Sequence, residues 1–69
     1  MLLALGEAIR RERSGVGMSQ EALAVDANLD HSYVGGIERG EHNITLMNVS
    51  KIANALNLRP SALYVAAGM

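Results

Sequence analysis

Apolar residues recur along this chain at intervals of three and four, the spacing of one buried face on an α-helix. The first run predicts a helix over about residues 2–13, which SGVG then ends. Thr45 and Pro60 suit the starts of two later helices. Their inward faces are predicted to carry Leu2, Leu5, Ala8 and Ile9 in the first helix, Leu46, Val49, Ile52, Ala53 and Leu56 in the second, and Leu63, Tyr64 and Val65 in the third.

Residues 19–40 predict two further short helices joined by a tight turn. Ser19 and Asp30 are suitable N-caps for the two helices, and Asn28 between them tolerates the left-handed backbone that turns the chain. Such a pair is a helix-turn-helix, whose second helix can enter a major groove. The predicted inward residues are Leu23, Ala24, Ala27, Leu29, Val34 and Ile37.

The second helix of this pair offers chemistry for contacting DNA bases. If Val34 and Ile37 face inward, then His31, Ser32, Gly35, Gly36 and Arg39 face outward. An imidazole or a hydroxyl can hydrogen-bond to base edges, and glycine allows a close approach of the helix to DNA. Packing or a phosphate contact is an equal alternative for Tyr33, and a kinked helix end is the alternative for the glycines. The predicted base-reading residues are therefore His31, Ser32, Tyr33, Gly35 and Gly36.

Nearly the whole chain carries motifs that resemble a known family in order and spacing. They are LGEAIRRERSGVGMSQ at 5–20, GIERGEHNIT at 36–45 and KIANALNLRPSALY at 51–64, with the helix-turn-helix at 19–40. Together they resemble the DNA-binding domains of lambda-repressor and Cro-like regulators. LDHSYVGGIERGEHNIT is most similar to the controller proteins of restriction–modification systems, which are small dimeric regulators. The resemblance implies an all-α, five-helix domain over residues 1–69, with helices at about 45–67 serving the core and dimerisation.

The resemblance also implies roles for residues beside the second motif helix. It pairs Arg13 with Glu38 as an internal ion pair. It also favours phosphate contacts at the start of the first motif helix, where free N–H groups and the helix dipole attract anions. A plain solvated residue is the alternative, above all for His42. The residues expected to contact phosphates are Arg13, Ser19, Gln20, Arg39, His42 and Asn43.

Charge argues for modest DNA affinity from each copy of the chain. Six Lys and Arg stand against seven Asp and Glu, a formal net charge of −1. Few cations can therefore neutralise phosphates, and binding is expected to rely on backbone N–H groups, hydroxyls and dimerisation. The C-terminal region has more apolar residues than one small core should need, which marks a partner surface. The predicted dimer interface comprises Leu56, Leu58, Leu63, Tyr64 and Val65.

Other classes of protein fit the sequence less well. The 69 residues contain no Cys, and neither histidine has companions at a spacing typical of a metal site. MLLALGEAI is too short to cross a bilayer and lacks the basic start of a signal peptide. We therefore predict a cytoplasmic, cofactor-free, non-enzymatic regulator that binds double-stranded operator DNA as a homodimer, with RNA polymerase as a further candidate partner. The alternative is an antitoxin-like module that uses the same fold to bind a protein.

Overall fold

Five α-helices form the described part of the chain, residues 2–68 of the computed structural model. No strand occurs among those residues, so the predicted all-α, five-helix architecture is confirmed. Met1, Met69 and the side chain of Leu2, which the sequence analysis included, lie outside the described residues. The helices are α1 (Leu2–Gly15), α2 (Gln20–Ala27), α3 (His31–Glu38), α4 (Leu46–Ala55) and α5 (Pro60–Ala66).

All five helices end in the same way. Each is followed by a residue with positive φ, and at Asn28 the angle is 56°. There the N–H of Leu29 donates to Ala24 O over 2.8 Å, which satisfies a carbonyl that the helix itself leaves open. The predicted role of Asn28 is therefore confirmed. The other four residues of this kind are Gly17, Gly40, Asn57 and Gly68.

The core lies where α1 meets α3 and α5, and where α2 packs against α3 and α4. Two expectations, one about α4 and one about α1, were wrong. Leu46, predicted to face inward, is 77% exposed in the first turn of α4. The first helix continues to Gly15, two residues beyond its predicted end. The largest fully buried side chains are Ile9, Leu23, Val34, Val49, Ile52 and Leu63.

The backbones of α1 and α3 approach each other closely at Gly6. A Cβ atom on this glycine would overlap the carbonyl oxygen of Ile37 and lie 2.9 Å from that of Glu38. Only hydrogen in place of a side chain allows this distance between the helices. At the other end of the domain, Arg11 Nη2 donates to Ala66 O over 2.7 Å and joins α1 to the last turn of α5. Helix α1 thus fixes the position of α3 by direct backbone contact.

Candidate nucleic-acid interface

Helices α2 and α3, joined by the turn at 28–30, form the predicted helix-turn-helix, and each begins at a side-chain cap. Ser19 Oγ accepts from Ala22 N over 3.0 Å. At α3, one carboxylate oxygen of Asp30 accepts both from Ser32 N over 3.0 Å and from Ser32 Oγ over 2.8 Å. These hydrogen bonds, led by the one from the hydroxyl, lower the pKa of Asp30. The start of α3 is therefore held in a fixed conformation at the surface.

The first three residues of α3 differ in how they are held. His31 and Ser32 are exposed, as base-reading residues must be. Tyr33 is half-buried, and its hydroxyl accepts from Asn48 Nδ2 over 2.9 Å. The same hydroxyl donates to Asn43 O over 3.4 Å. Tyr33 thus fastens α3 to α4 and to the loop between them, through a partner in Asn48 that the sequence analysis missed.

The expectation that Gly35 and Gly36 face outward uncovered was wrong, since both are buried. A Cβ atom on Gly35 would lie 3.2 Å from Arg39 Nη1 and 3.5 Å from Gln20 Oε1. One on Gly36 would meet the imidazole of His42. Longer side chains from α2 and from the loop after α3 therefore cover the space that the two glycines leave.

Arg13 and Glu38 form an ion pair with two hydrogen bonds beneath α3. Arg13 Nε lies 2.7 Å from Glu38 Oε2, and Arg13 Nη2 lies 3.0 Å from Oε1. The side chains are only 13% and 2% exposed, respectively. The hydrogen bonds to Glu38 raise the pKa of Arg13 and outweigh the opposing effect of burial. The carboxylate is thus fully engaged inside the domain.

Two further groups complete this cluster. Arg13 Nη1 donates to Met18 O over 2.8 Å, and Gln20 Nε2 donates to Glu38 Oε1 over 2.9 Å. The Gln20 amide nitrogen, expected at a phosphate, is therefore directed to Glu38. No short-range signal in the sequence predicts that contact, because the two residues are 18 positions apart.

The loop after α3 carries the other residues expected to contact phosphates. Arg39 is exposed, and its Nε lies 2.9 Å from Glu41 Oε2 in an exposed ion pair. Hydrogen bonding to that carboxylate raises the pKa of Arg39 and lowers the pKa of Glu41. His42 and Asn43 are exposed as well. These residues are thus on the surface beside α3, where a DNA backbone can reach them.

Basic side chains gather on one side of the domain despite the net negative charge. Four of the six Lys and Arg residues lie on α1 or directly after α3. Clustering of Arg10, Arg11 and Arg13 in the sequence was the signal for this distribution. A groove between α1 and the end of α3 is lined by Leu3, Glu7, Arg10, Arg11, Ser14, Glu38 and Arg39.

The residues expected at a dimer interface divide into two groups. Leu63 is 0% and Leu56 is 5% exposed, so the expectation that they face a partner was wrong: packing of α4 and α5 within the domain uses them. Leu58 and Tyr64 are half-buried against the core. Val65 is 73% exposed, so the expectation that it belongs to the inward face of the last helix was wrong. Of the predicted interface residues, Val65 on the outer side of α5 is therefore the most accessible to a second copy.

Residues 2–68 carry neither a metal-binding cluster nor a membrane-spanning helix. Within that range, the structure contains no group of three His, Cys, Asp or Glu side chains placed to hold a metal ion. None of the five helices has the length and apolar character needed to cross a bilayer.

Comparisons with known proteins agree with this geometry. A helix-turn-helix family model matches residues 9–63. Control protein C.BamHI from Bacillus amyloliquefaciens is 42% identical over 62 residues, which cover 88% of this chain and 76% of that protein. The crystal structure of the restriction–modification controller protein C.AhdI from Aeromonas hydrophila superposes with a TM-score of 0.89 at 47% identity, over 90% of this chain and 94% of that one. The controller protein C.Esp1396I, whose structure is a tetramer with its natural 35-base-pair operator, gives 0.88 at 32% identity, over 96% and 87% of the two chains.

Proposed function

Because this chain belongs to the helix-turn-helix family, among the control proteins of restriction–modification systems, we propose that it regulates transcription by binding operator DNA as a homodimer. The observation that carries the proposal is that α3 is exposed at its start and anchored at its end. Its first residues, His31 and Ser32, are exposed, while its far end is held inside the domain by Glu38. A rigid helix with an exposed polar start is suited to a major groove.

Base reading is assigned to the start of α3. The imidazole of His31 can donate to or accept from a purine edge, and the Ser32 hydroxyl, which donates its hydrogen to Asp30, can still accept from a base. Tyr33 is better suited to positioning, since its hydroxyl is occupied by Asn48 and Asn43. Each of these two exposed side chains is expected to select one or two base pairs in each half-site.

Phosphate contacts are assigned to the residues that flank α3 on the surface. Arg39 and Asn43 are exposed on the loop that follows, and Ser19 is exposed before α2. Gln20 directs its amide nitrogen to Glu38, so its contact with a phosphate would come from its backbone N–H at the start of α2. Arg13 is mostly covered and paired with Glu38, so its part in DNA binding would be to hold α3 in position more than to contact a phosphate.

Dimerisation would place two copies of α3 on one face of the DNA. Helices related by a two-fold axis reach half-sites about 34 Å apart, one turn of the duplex. The tetramer of C.Esp1396I on its operator supports binding as an assembly. For this chain we assign the contact to the exposed outer side of α5, with Val65 at its centre and Leu58 and Tyr64 beside it. Such a contact is isologous, because each copy presents the same surface.

A protein with this function would act in the cytoplasm, where its operator and RNA polymerase are found. The function requires no catalytic step and no cofactor. The regulated locus would be a restriction–modification operon or the gene of the regulator itself. Overlap between the operator and the promoter would then decide between repression and activation.

The test begins with selection of bound sequences from a random duplex pool. Titrations then compare wild type, His31→Ala and Arg39→Ala on the best site, its single-base variants and random duplex, at several salt concentrations. Loss of His31 should relax preference at one or two positions, at a cost of about 1–3 kcal/mol on the best site. Loss of Arg39 should weaken binding to all sequences and reduce the salt dependence, because one cation fewer releases counterions. Selection that enriches no sequence would refute the proposal.

A further inference from the structure

Gly36 is buried, and the residue that covers it is His42. A Cβ atom on Gly36 would lie 2.5 Å from Nε2 of His42 and would overlap its Cδ2. The imidazole edge thus fills the volume in which a side chain at position 36 would begin. Nδ1 belongs to the opposite edge of the ring, which faces away from Gly36.

A second contact holds the imidazole in this place. The ring of Tyr33, one helical turn before Gly36, has its centroid 5.5 Å from that of His42, with 34° between the planes. Hydrogen bonds with Asn48 and Asn43 fix the Tyr33 hydroxyl. The imidazole therefore rests on two anchored points of α3, although its own residue belongs to the loop and is exposed.

The neighbouring charged residues of the loop do not occupy the imidazole. Arg39 and Glu41, which precede it in the sequence, pair with each other through two hydrogen bonds of 2.9 and 3.1 Å. A ring nitrogen on the side away from the helix can donate to or accept from a base edge. A partner that approaches α3 from outside meets His42 before it meets Gly36.

We propose that His42 is a base-reading residue of this protein, and that Gly36 is the seat that holds its imidazole against α3. The loop thereby supplies the side chain that the helix lacks at this position. Gly36 itself makes no contact with a base. The proposal rests on the proposed function, because it concerns how the same surface selects its operator.

The experiment measures base preference for four variants on the selected operator and on every single-base variant of it. His42→Ala should lower the preference at one base pair in each half-site about tenfold. Gly36→Ala should lower it at the same base pair to a similar extent, because the added methyl group displaces the ring. The double variant should show no further loss, since both changes remove one contact. His31→Ala is the matched imidazole control and should change the preference at a different base pair.

Thermal unfolding separates this effect from damage to the fold. Gly36→Ala should unfold at or above the temperature of wild type, because alanine favours a helix and the displaced ring is the end of a flexible side chain. Gly15→Ala, with nothing within 4 Å of its added Cβ, should raise stability and leave base preference as it is.

Three results would overturn the proposal. His42→Ala with full preference at every base pair would remove the imidazole from base reading. A loss that is uniform over all sequences would make His42 a phosphate contact. Independent, additive losses in the double variant would show that Gly36 does not act through His42. A wild-type protein that selects no sequence at all would refute the proposed function along with this inference.

Discussion

Substitution of Gly6 by alanine tests whether backbone contact with α1 sets the position of α3. The new Cβ would overlap Ile37 O and come within 3.0 Å of Glu38 C, and neither backbone atom can rotate away as a side chain would. Overpacking of a core costs about 1–3 kcal/mol, and a contact with rigid backbone belongs at the upper end of that range. The higher helix propensity of alanine returns about 1 kcal/mol. We therefore expect a net loss of about 2 kcal/mol in the free energy of unfolding.

The assay is thermal unfolding followed by circular dichroism. A loss of this size corresponds to a fall of about 8–16 °C in Tm for so small a domain. Gly15→Ala, on the same helix with open space around its added methyl group, is the matched control and should raise Tm. Operator affinity of Gly6→Ala should fall as well, even at temperatures where the variant is folded, because α3 must shift. Equal increases in Tm for both variants would refute the close approach of the two helices.

Three further predictions follow from the contacts described above. Glu38→Ala should lower the free energy of unfolding by about 3 kcal/mol in urea titrations, and most of this loss should disappear in an Arg13→Ala background, whereas additive losses would mean that the pair contributes no coupling. Val65→Asp should change the species seen in sedimentation from dimer to monomer, at a protein concentration on the order of tens of micromolar, without lowering Tm below that of the monomer. A variant that stays dimeric would show that the interface lies elsewhere than on α5. Asp30→Ala should destabilise α3 at neutral pH, and because the pKa of Asp30 is lowered in the folded protein, its advantage over alanine should decline as pH falls through about 4 towards the lowered pKa; a Tm difference independent of pH would contradict the carboxylate cap.

The sequence predicted much of this architecture because each helix has its own apolar period and its own residues that favour a helix start or end. Leu23, Val34 and Ile52 were placed inward by spacing alone, and Asn28 was placed at the turn by its tolerance of positive φ. These are local properties, and local properties can be read from a window of a few residues. Helix existence and type were therefore accessible without any knowledge of tertiary contacts.

What the sequence did not predict depends on which surfaces meet. Spacing identifies an apolar face of α5, but it cannot show that Leu63 is buried within the domain while Val65 is exposed. It places Gln20 at an exposed helix start and cannot foresee that its amide turns to Glu38. The contact of α1 with α3 at Gly6 could have been predicted, because a glycine beside the inward positions of a helix can indicate that another backbone approaches closely.

The guanidinium of Arg13 joins three helices at once, through Glu38 at the end of α3 and Met18 O immediately before α2. Local unfolding of α3 alone is therefore opposed, because it would leave the largely covered guanidinium of Arg13 without its carboxylate partner. Amide hydrogens in the second half of α3 should then exchange only when the whole domain opens, while those at its exposed start exchange through smaller fluctuations. The surface that meets DNA would thus lie on a helix whose buried end opens only together with the whole domain.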